Sequence, residues 1–188
     1  MRLLLASNSP RRKELLSQLG FSFEVIKIDA DESYPENLSV SEIAEYISDK
    51  KAGYFVPEPN EILLTADTIV ALENQILMKP KSEEDAFIML KNLSGKTHQV
   101  YTAFTLKTFD NQISRTSKTD IEFSAISDEE IRFYIDRFKP FDKAGSYGIQ
   151  EWLGMTKIKS IAGSYYSVMG LPVDLVYEEL KNRMPFSD

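Results

Sequence analysis

The sequence predicts an α/β protein with a mixed, twisted sheet flanked by helices. Two patterns point to this. In the first half, short apolar runs alternate with helical segments. Further on, two runs at 98–107 and 113–124 face each other as a hairpin across Phe109-Asp110-Asn111-Gln112. The length gives a third bound: 188 residues can bury one good core, arranged as two lobes around a cleft. No linker is long enough to separate independent domains, so residues 1–188 read as a single domain.

Arg2-Leu3-Leu4-Leu5-Ala6 is the first buried strand. Ser7-Asn8-Ser9 supplies turn and N-cap chemistry, and Pro10 suits a first helical position, where its missing N–H costs nothing. That helix runs to about Leu19 and stops at Gly20. Phe23-Glu24-Val25-Ile26 reads as a strand, followed by the acidic loop Asp29-Ala30-Asp31-Glu32. A helix opens around Ser41 and continues to about Tyr54, with Val40, Ile43, Ala44, Ile47 and Tyr54 as its inward stripe. Pro57 and Pro59 break the chain before an apolar strand over Ile62 to Leu72. Ser82 caps a helix through Leu93, which Gly95 ends. After the hairpin, Ser127-Asp128-Glu129-Glu130 is a capping box for a helix to about Phe138. A glycine-containing loop spans Pro140 to Gln150, strand-like material covers 155–169, and Pro172 opens a last helix.

Composition narrows the chemistry. There is no cysteine, which removes disulfides, thiolate catalysis and Cys-type zinc sites, and the one histidine removes multi-His metal sites. A metal here would be held by carboxylates, which suits Mg²⁺ or Mn²⁺. A net charge of −7 disfavours a surface that coats polymeric nucleic acid, but not a small polyanion met by locally gathered cations. No segment approaches the length of a membrane span and the N-terminus lacks a signal-peptide pattern, so a cytoplasmic protein is expected.

Three charged groups stand out. Arg11, Arg12 and Lys13 put positive charge in a first helical turn, against the macrodipole, which makes sense if an anion such as phosphate docks there. A solvated surface pair is the plain alternative for the arginines. Arg12 argues against it, because with Leu15, Leu16 and Leu19 it completes an i, i+3, i+4, i+7 set. The segment lacks the glycines and the Gly-Lys-Ser/Thr ending of a Walker A loop. Asp67 is the one charge in its apolar strand, so either it meets a cation or it lies at the lip of a site. Lys51 lies about 20° from the middle of its helix's inward stripe, and Lys50 lies on the flank. Inward Arg12, inward Lys51 and strand-borne Asp67 together predict a charged pocket.

Weaker signals surround these three. One of Asp29, Asp31 and Glu32 could join Asp67 in a carboxylate site for a divalent cation bridging phosphates. Lys79 follows the Asp67 strand, and Lys143 opens Asp142-Lys143-Ala144-Gly145-Ser146-Tyr147-Gly148-Ile149-Gln150, whose final amide can read a base edge. His98 reads as structural, since no nucleophile motif accompanies it.

Ser7-Asn8-Ser9-Pro10-Arg11-Arg12, Ala66-Asp67-Thr68, Lys79-Pro80, Ser94-Gly95-Lys96-Thr97-His98, Asp142-Lys143-Ala144-Gly145 and Gly163-Ser164-Tyr165-Tyr166 with Gly170-Leu171-Pro172 together resemble the Maf family, in the family's order and across about residues 3–180. The resemblance implies a Maf/ITPase-like fold and a nucleoside triphosphate pyrophosphatase that uses a divalent metal, with dimers fitting the family. The Gly148-Ile149-Gln150 ending resembles the branch acting on dTTP and UTP rather than the one acting on 7-methyl-GTP. Carried over, the resemblance makes Asp67 the proton acceptor that activates water and gives Arg11, Thr68 and Gln150 to substrate selection. It sets Ser7, Arg11, Arg12, Lys51, Lys79 and Lys143 around the triphosphate, with Glu32 and Asp67 near the metal; Glu32 is either a metal ligand or the base itself. The family commonly has glycine two residues before the aspartate, where this chain has Thr65. Two rival readings use the same phosphate site: a nucleotide-binding regulator of septum formation without turnover, and a phosphatase that releases orthophosphate.

Overall fold

The structure, a computed structural model, describes residues 1–186. In chain order its elements are β1 (Arg2–Ala6), α1 (Pro10–Gln18), β2 (Phe23–Ile26), α2 (Val40–Gly53), β3 (Glu61–Leu72), β4 (Gln75–Leu77), α3 (Glu83–Leu93), β5 (Thr97–Lys107), β6 (Gln112–Phe123), α4 (Asp128–Phe138), α5 (Trp152–Lys157), β7 (Ile158–Ala162), α6 (Tyr165–Met169) and α7 (Val173–Leu180). The strands are hydrogen-bonded in the order β2-β1-β3-β5-β6-β7, with β4 on β3. The sheet is mixed, as expected: β1 runs parallel to β2 and β3, whereas β3–β4 and β6–β7 are antiparallel.

The described residues form two compact units. One comprises Met1–Thr68, Thr102–Ser117 and the chain from Gly170 onward; the other comprises Ile69–Tyr101 and Lys118–Met169. In the first, Leu3, Leu4 and Leu5 are buried with parallel partners on both sides, which is why the run is apolar without alternation. Leu15 and Leu16 of α1 and Ile43, Ala44 and Ile47 of α2 are buried as well. Each such leucine or isoleucine contributes about 1.5–3 kcal/mol by leaving water.

Helix α1 starts as its sequence dictates. Pro10 takes the first turn, and the Ser9 hydroxyl accepts from the Arg12 N–H at 3.4 Å. Helix α2 opens with a capping box in which the Ser39 N–H donates to Glu42 Oε2 at 3.0 Å. Polar contacts tie it further. Thr116 Oγ1 donates to Glu45 Oε2 at 2.5 Å, Thr105 Oγ1 donates to Asp49 Oδ1 at 2.7 Å, and Ser114 Oγ donates to the same carboxylate. Lys107 Nζ donates to the carbonyls of Ala52 and Phe55 at 2.9 and 2.8 Å, where the helix runs out of its own N–H partners. Tyr54 departs from the expected stripe and is exposed. It is the C-cap, one residue past the helix, so the 3.6-residue period no longer governs its direction.

The second unit packs the inward faces of α3 and α4 into one apolar core. Ala86, Leu90 and Leu93 of α3 meet Ile131 and Tyr134 of α4 around Val100, Ile121 and Phe123. The strand-like reading of 155–169 is corrected here: the segment is the end of α5, the five-residue β7, then α6. Gly163 ends β7. Its φ is +136°, and a Cβ there would sit 2.6 Å from Thr119 Oγ1, so only glycine lets the chain turn against β6. Strand β4 carries too little sequence to announce itself. It is three residues long and returns on β3 through Glu73-Asn74, with Glu73 at φ 57°. Among the described residues no helix is long and apolar enough to cross a membrane.

Candidate active site

The first unit gathers its charge at one point on β3. Asp67 and Thr68 are the two half-buried positions in a strand otherwise buried throughout. Each meets a different helix. Asp67 Oδ1 accepts from Lys51 Nζ of α2 at 2.7 Å, and Thr68 Oγ1 accepts from Arg12 Nη2 of α1 at 3.2 Å. The same Lys51 ammonium pairs with Glu32 Oε1 at 2.7 Å. Lys51 is therefore inward, as its helical position predicts, and one cation draws the strand carboxylate and the loop carboxylate together. Its neighbour Lys50 pairs instead with Asp31 at 2.7 Å and with the Ser33 carbonyl at 2.8 Å, which fixes the acidic loop to the flank of α2.

Arg12 also donates Nε to the Gly170 carbonyl at 2.8 Å. Burial pulls its guanidinium below the usual arginine value; Asp67 and Glu32 oppose the shift, and Arg11 adds to it. Three cations and two carboxylates thus interact within this unit. Ser7 stands just before α1, where its hydroxyl accepts from the Ser9 N–H at 3.2 Å. Gly170 at φ +123° and Thr102, whose hydroxyl donates to Thr68 at 3.1 Å, complete the surroundings of Arg12 and Thr68. Neither partner was legible in the sequence, because both contacts join residues far apart along the chain.

Three further expected residues lie in the second unit. Lys79 is exposed between β4 and α3. The Gly145 N–H donates to the Met78 carbonyl at 3.4 Å, which brings the Lys143 loop beside Lys79. That loop needs its glycine: Gly145 has φ +68°, and a Cβ would come within 2.9 Å of Val70. Lys143 is buried and pairs with Asp142 at 2.7 Å and Glu151 at 3.1 Å. Tyr134 OH donates to Glu151 and accepts from the Gly148 N–H at 3.0 Å, so Glu151 ties the loop to α4. Burial, seconded by Glu151, raises the Tyr134 phenol above its ordinary value and keeps it a donor. Gln150 holds its amide oxygen buried, with no hydrogen-bond partner among the described residues. His98 is buried against Phe123 and Tyr147, with Nε2 2.8 Å from the Tyr147 hydroxyl, as its structural reading expects.

Among the described residues, no three His, Asp or Glu side chains form a ready-made metal cage. Glu32 and Asp67 are nonetheless held at one ammonium, and their oxygens are the donor type a hard dication takes. Mg²⁺ commonly uses one or two carboxylates and completes its shell with water and phosphate oxygens, so this pair fits it.

Comparison with known proteins agrees with the sequence reading. The family model described as Maf-like protein matches residues 2–183, so both units fall within one family match. The chain is 52% identical over 182 residues to a dTTP/UTP pyrophosphatase of Bacteroides thetaiotaomicron, covering 95% of this chain and 94% of the relative. It is 51% identical to the protein of the same name from Phocaeicola vulgatus, with 96% and 95% covered. Among solved structures, the Ham1 protein of Staphylococcus aureus superimposes with a TM-score of 0.50 at 15% identity, over 65% of this chain and 72% of that one; the likeness concerns the fold alone.

Proposed function

The chain belongs to the Maf family, and we propose that it hydrolyses nucleoside triphosphates, dTTP and UTP foremost, to the monophosphate and pyrophosphate. The observation that carries this reading is the Lys51 ammonium holding Asp67 and Glu32 at 2.7 Å each, with Arg12 interacting electrostatically with both. That arrangement suits a reaction in which negative charge moves onto a leaving pyrophosphate.

Asp67 is the general base. Its strand is rigid and buried on either side of it, so its carboxylate can hold a water in line with the α-phosphorus and take its proton. Arg11, Arg12 and Lys51 stabilise the phosphate oxygens more as charge develops than before, and Ser7 offers its hydroxyl to the same anion. Glu32 and Asp67 would hold Mg²⁺ or Mn²⁺, which supplies further charge stabilisation when bound. Thr68 takes part in substrate selection.

Lys79 and Lys143 are assigned to the triphosphate and Gln150 to the base, and these roles rest on the family resemblance. The Gln150 amide oxygen, unpaired among the described residues, is consistent with the last of them. Thymine and uracil present an N3–H donor that such an acceptor can take, whereas cytosine presents an acceptor at N3. We further propose a cytoplasmic enzyme acting on free nucleotides, with no polymeric nucleic acid or membrane partner, and a homodimer in keeping with the family.

The test is a panel of nucleotides incubated with Mg²⁺, with pyrophosphate and orthophosphate measured separately. Pyrophosphate from dTTP and UTP, with little from CTP, is the expected result. Orthophosphate, or binding without turnover, would replace this reading with a phosphatase or with a nucleotide-binding regulator.

A further inference from the structure

We infer that Thr65 is a positioning residue for the Lys51–Asp67 pair. It acts through a buried hydroxyl ladder that locks helix α2 to strand β3.

Thr65 and Asp67 are two apart on β3, and Ser48 and Lys51 are three apart on α2. The two elements are joined at both levels. Thr65 Oγ1 donates to the Ser48 carbonyl at 2.8 Å, and Lys51 Nζ donates to Asp67 Oδ1 at 2.7 Å. Two residues of strand rise about 6.6 Å and three of helix about 4.5 Å, so the bonds are neighbouring rungs of one ladder. The Thr65 rung is the buried one: Thr65, Ser48 and Thr105 are all at 0% exposure.

Its hydroxyls admit a set of directions in which every proton is accepted. The Asp49 carboxylate accepts the protons of Thr105 (2.7 Å) and Ser114. Thr65 sends its own proton to the Ser48 carbonyl, and Ser48 Oγ has two hydroxyl oxygens to donate to, Thr105 Oγ1 at 2.9 Å and Thr65 Oγ1 at 3.2 Å. Each hydroxyl proton of the ladder therefore has an acceptor, which makes the register of α2 on β3 well defined.

The placement has a consequence for chemistry. Lys51 reaches Asp67 from a helix that is also held by the packing of Ala52 with Leu63 and by the polar ties of Glu45, Asp49 and the last carbonyls. Thr65 is the hydrogen-bonded tie that shares a strand face with Asp67, two residues away. Its bond thereby fixes the distance between the base and the cation beside it.

The inference rests on the assignment of Asp67 and Lys51 to the hydrolytic site, and two readouts keep the two failures apart. Thr65→Val keeps the shape and removes the hydroxyl; Thr65→Ser keeps the hydroxyl. With dTTP, Thr65→Val should lower kcat by about tenfold, less than the ~100-fold a full 1 Å misplacement can cost, while KM stays within about twofold. Thr65→Ser should stay within about twofold of the parent in both. The second readout needs no turnover: the Lys51 side-chain ammonium resonance, assigned by its loss in Lys51→Met, should exchange with solvent several-fold faster in Thr65→Val than in the parent.

Unchanged kcat and unchanged exchange in Thr65→Val would overturn the inference. So would a fall in kcat that Thr65→Ser shares and that tracks thermal stability. If the parent itself releases no pyrophosphate, the functional reading fails, and the exchange measurement still decides the role of Thr65.

Discussion

Lys51 holds two carboxylates at once, and that determines what each residue of the site can be asked to do. Asp67 is 13% exposed and fixed on its strand, whereas Glu32 is 46% exposed on a loop. The strand-held carboxylate suits proton abstraction; the exposed one suits a cation that must shed and regain ligands. Asp67→Asn preserves the shape and removes the base, so it should lower turnover by at least ~100-fold while calorimetry shows nucleotide binding largely intact. Near-normal turnover would take Asp67 out of its role. Arg12 makes two directed bonds from one planar head, to Gly170 and Thr68, and a lysine cannot reproduce that fork. Arg12→Lys should therefore raise KM for the triphosphate by about tenfold with a smaller change in kcat. At this scale the sequence was informative wherever a charge broke an apolar pattern. Arg12, Lys51 and Asp67 each stood on a face that should have been greasy. Glu32 did not, because an acidic loop looks alike whether solvated or engaged, and Glu151 announced nothing, since its partners Lys143 and Tyr134 come from other parts of the chain.

Elements were legible to the extent that their ends carried local chemistry. The capping box at Ser127 and the Ser9-Pro10 start formed as their residues require, whereas α2 starts from Ser39 rather than around Ser41. The segment 155–169 misled because Ile158, Ile161, Tyr165, Tyr166 and Val168 favour strands by type; Gly163, forced by its contact with Thr119, divides it into strand and helix. Tyr54 misled because a stripe was extended one residue past the helix. The cap of α4, in the second unit, gives a control. Ser127→Ala removes an acceptor from the Glu130 N–H and should cost about 1 kcal/mol in denaturant unfolding, with turnover unchanged. A loss of activity equal to that of Asp67→Asn would mean that α4 takes part in the chemistry.

For the molecule as a whole, acidity and stability are linked through its one histidine. Burial pulls the His98 imidazole down from 6.5 to about 4. The unfolded chain takes up a proton near pH 6.5 that the folded chain refuses until about pH 4. The stability His98 contributes is thus full above pH 6.5 and is lost as the pH falls toward 4. Because it is the only histidine, its ring signal is assigned by composition. In a proton NMR titration it should stay unshifted from about pH 8 to 5; a midpoint near 6.5 would contradict the buried, neutral ring. The net charge of −7 fits a reaction that must release anionic products, provided the cations are gathered where the triphosphate binds. The first unit gathers Arg11, Arg12 and Lys51 in this way against Asp67 and Glu32.

The most direct measurement is hydrolysis of dTTP in ¹⁸O-water, followed by mass spectrometry of the products. Attack of an Asp67-activated water on the α-phosphorus predicts one heavy oxygen in dTMP and none in the pyrophosphate. Heavy oxygen in the pyrophosphate, or labelled orthophosphate in its place, would contradict the account.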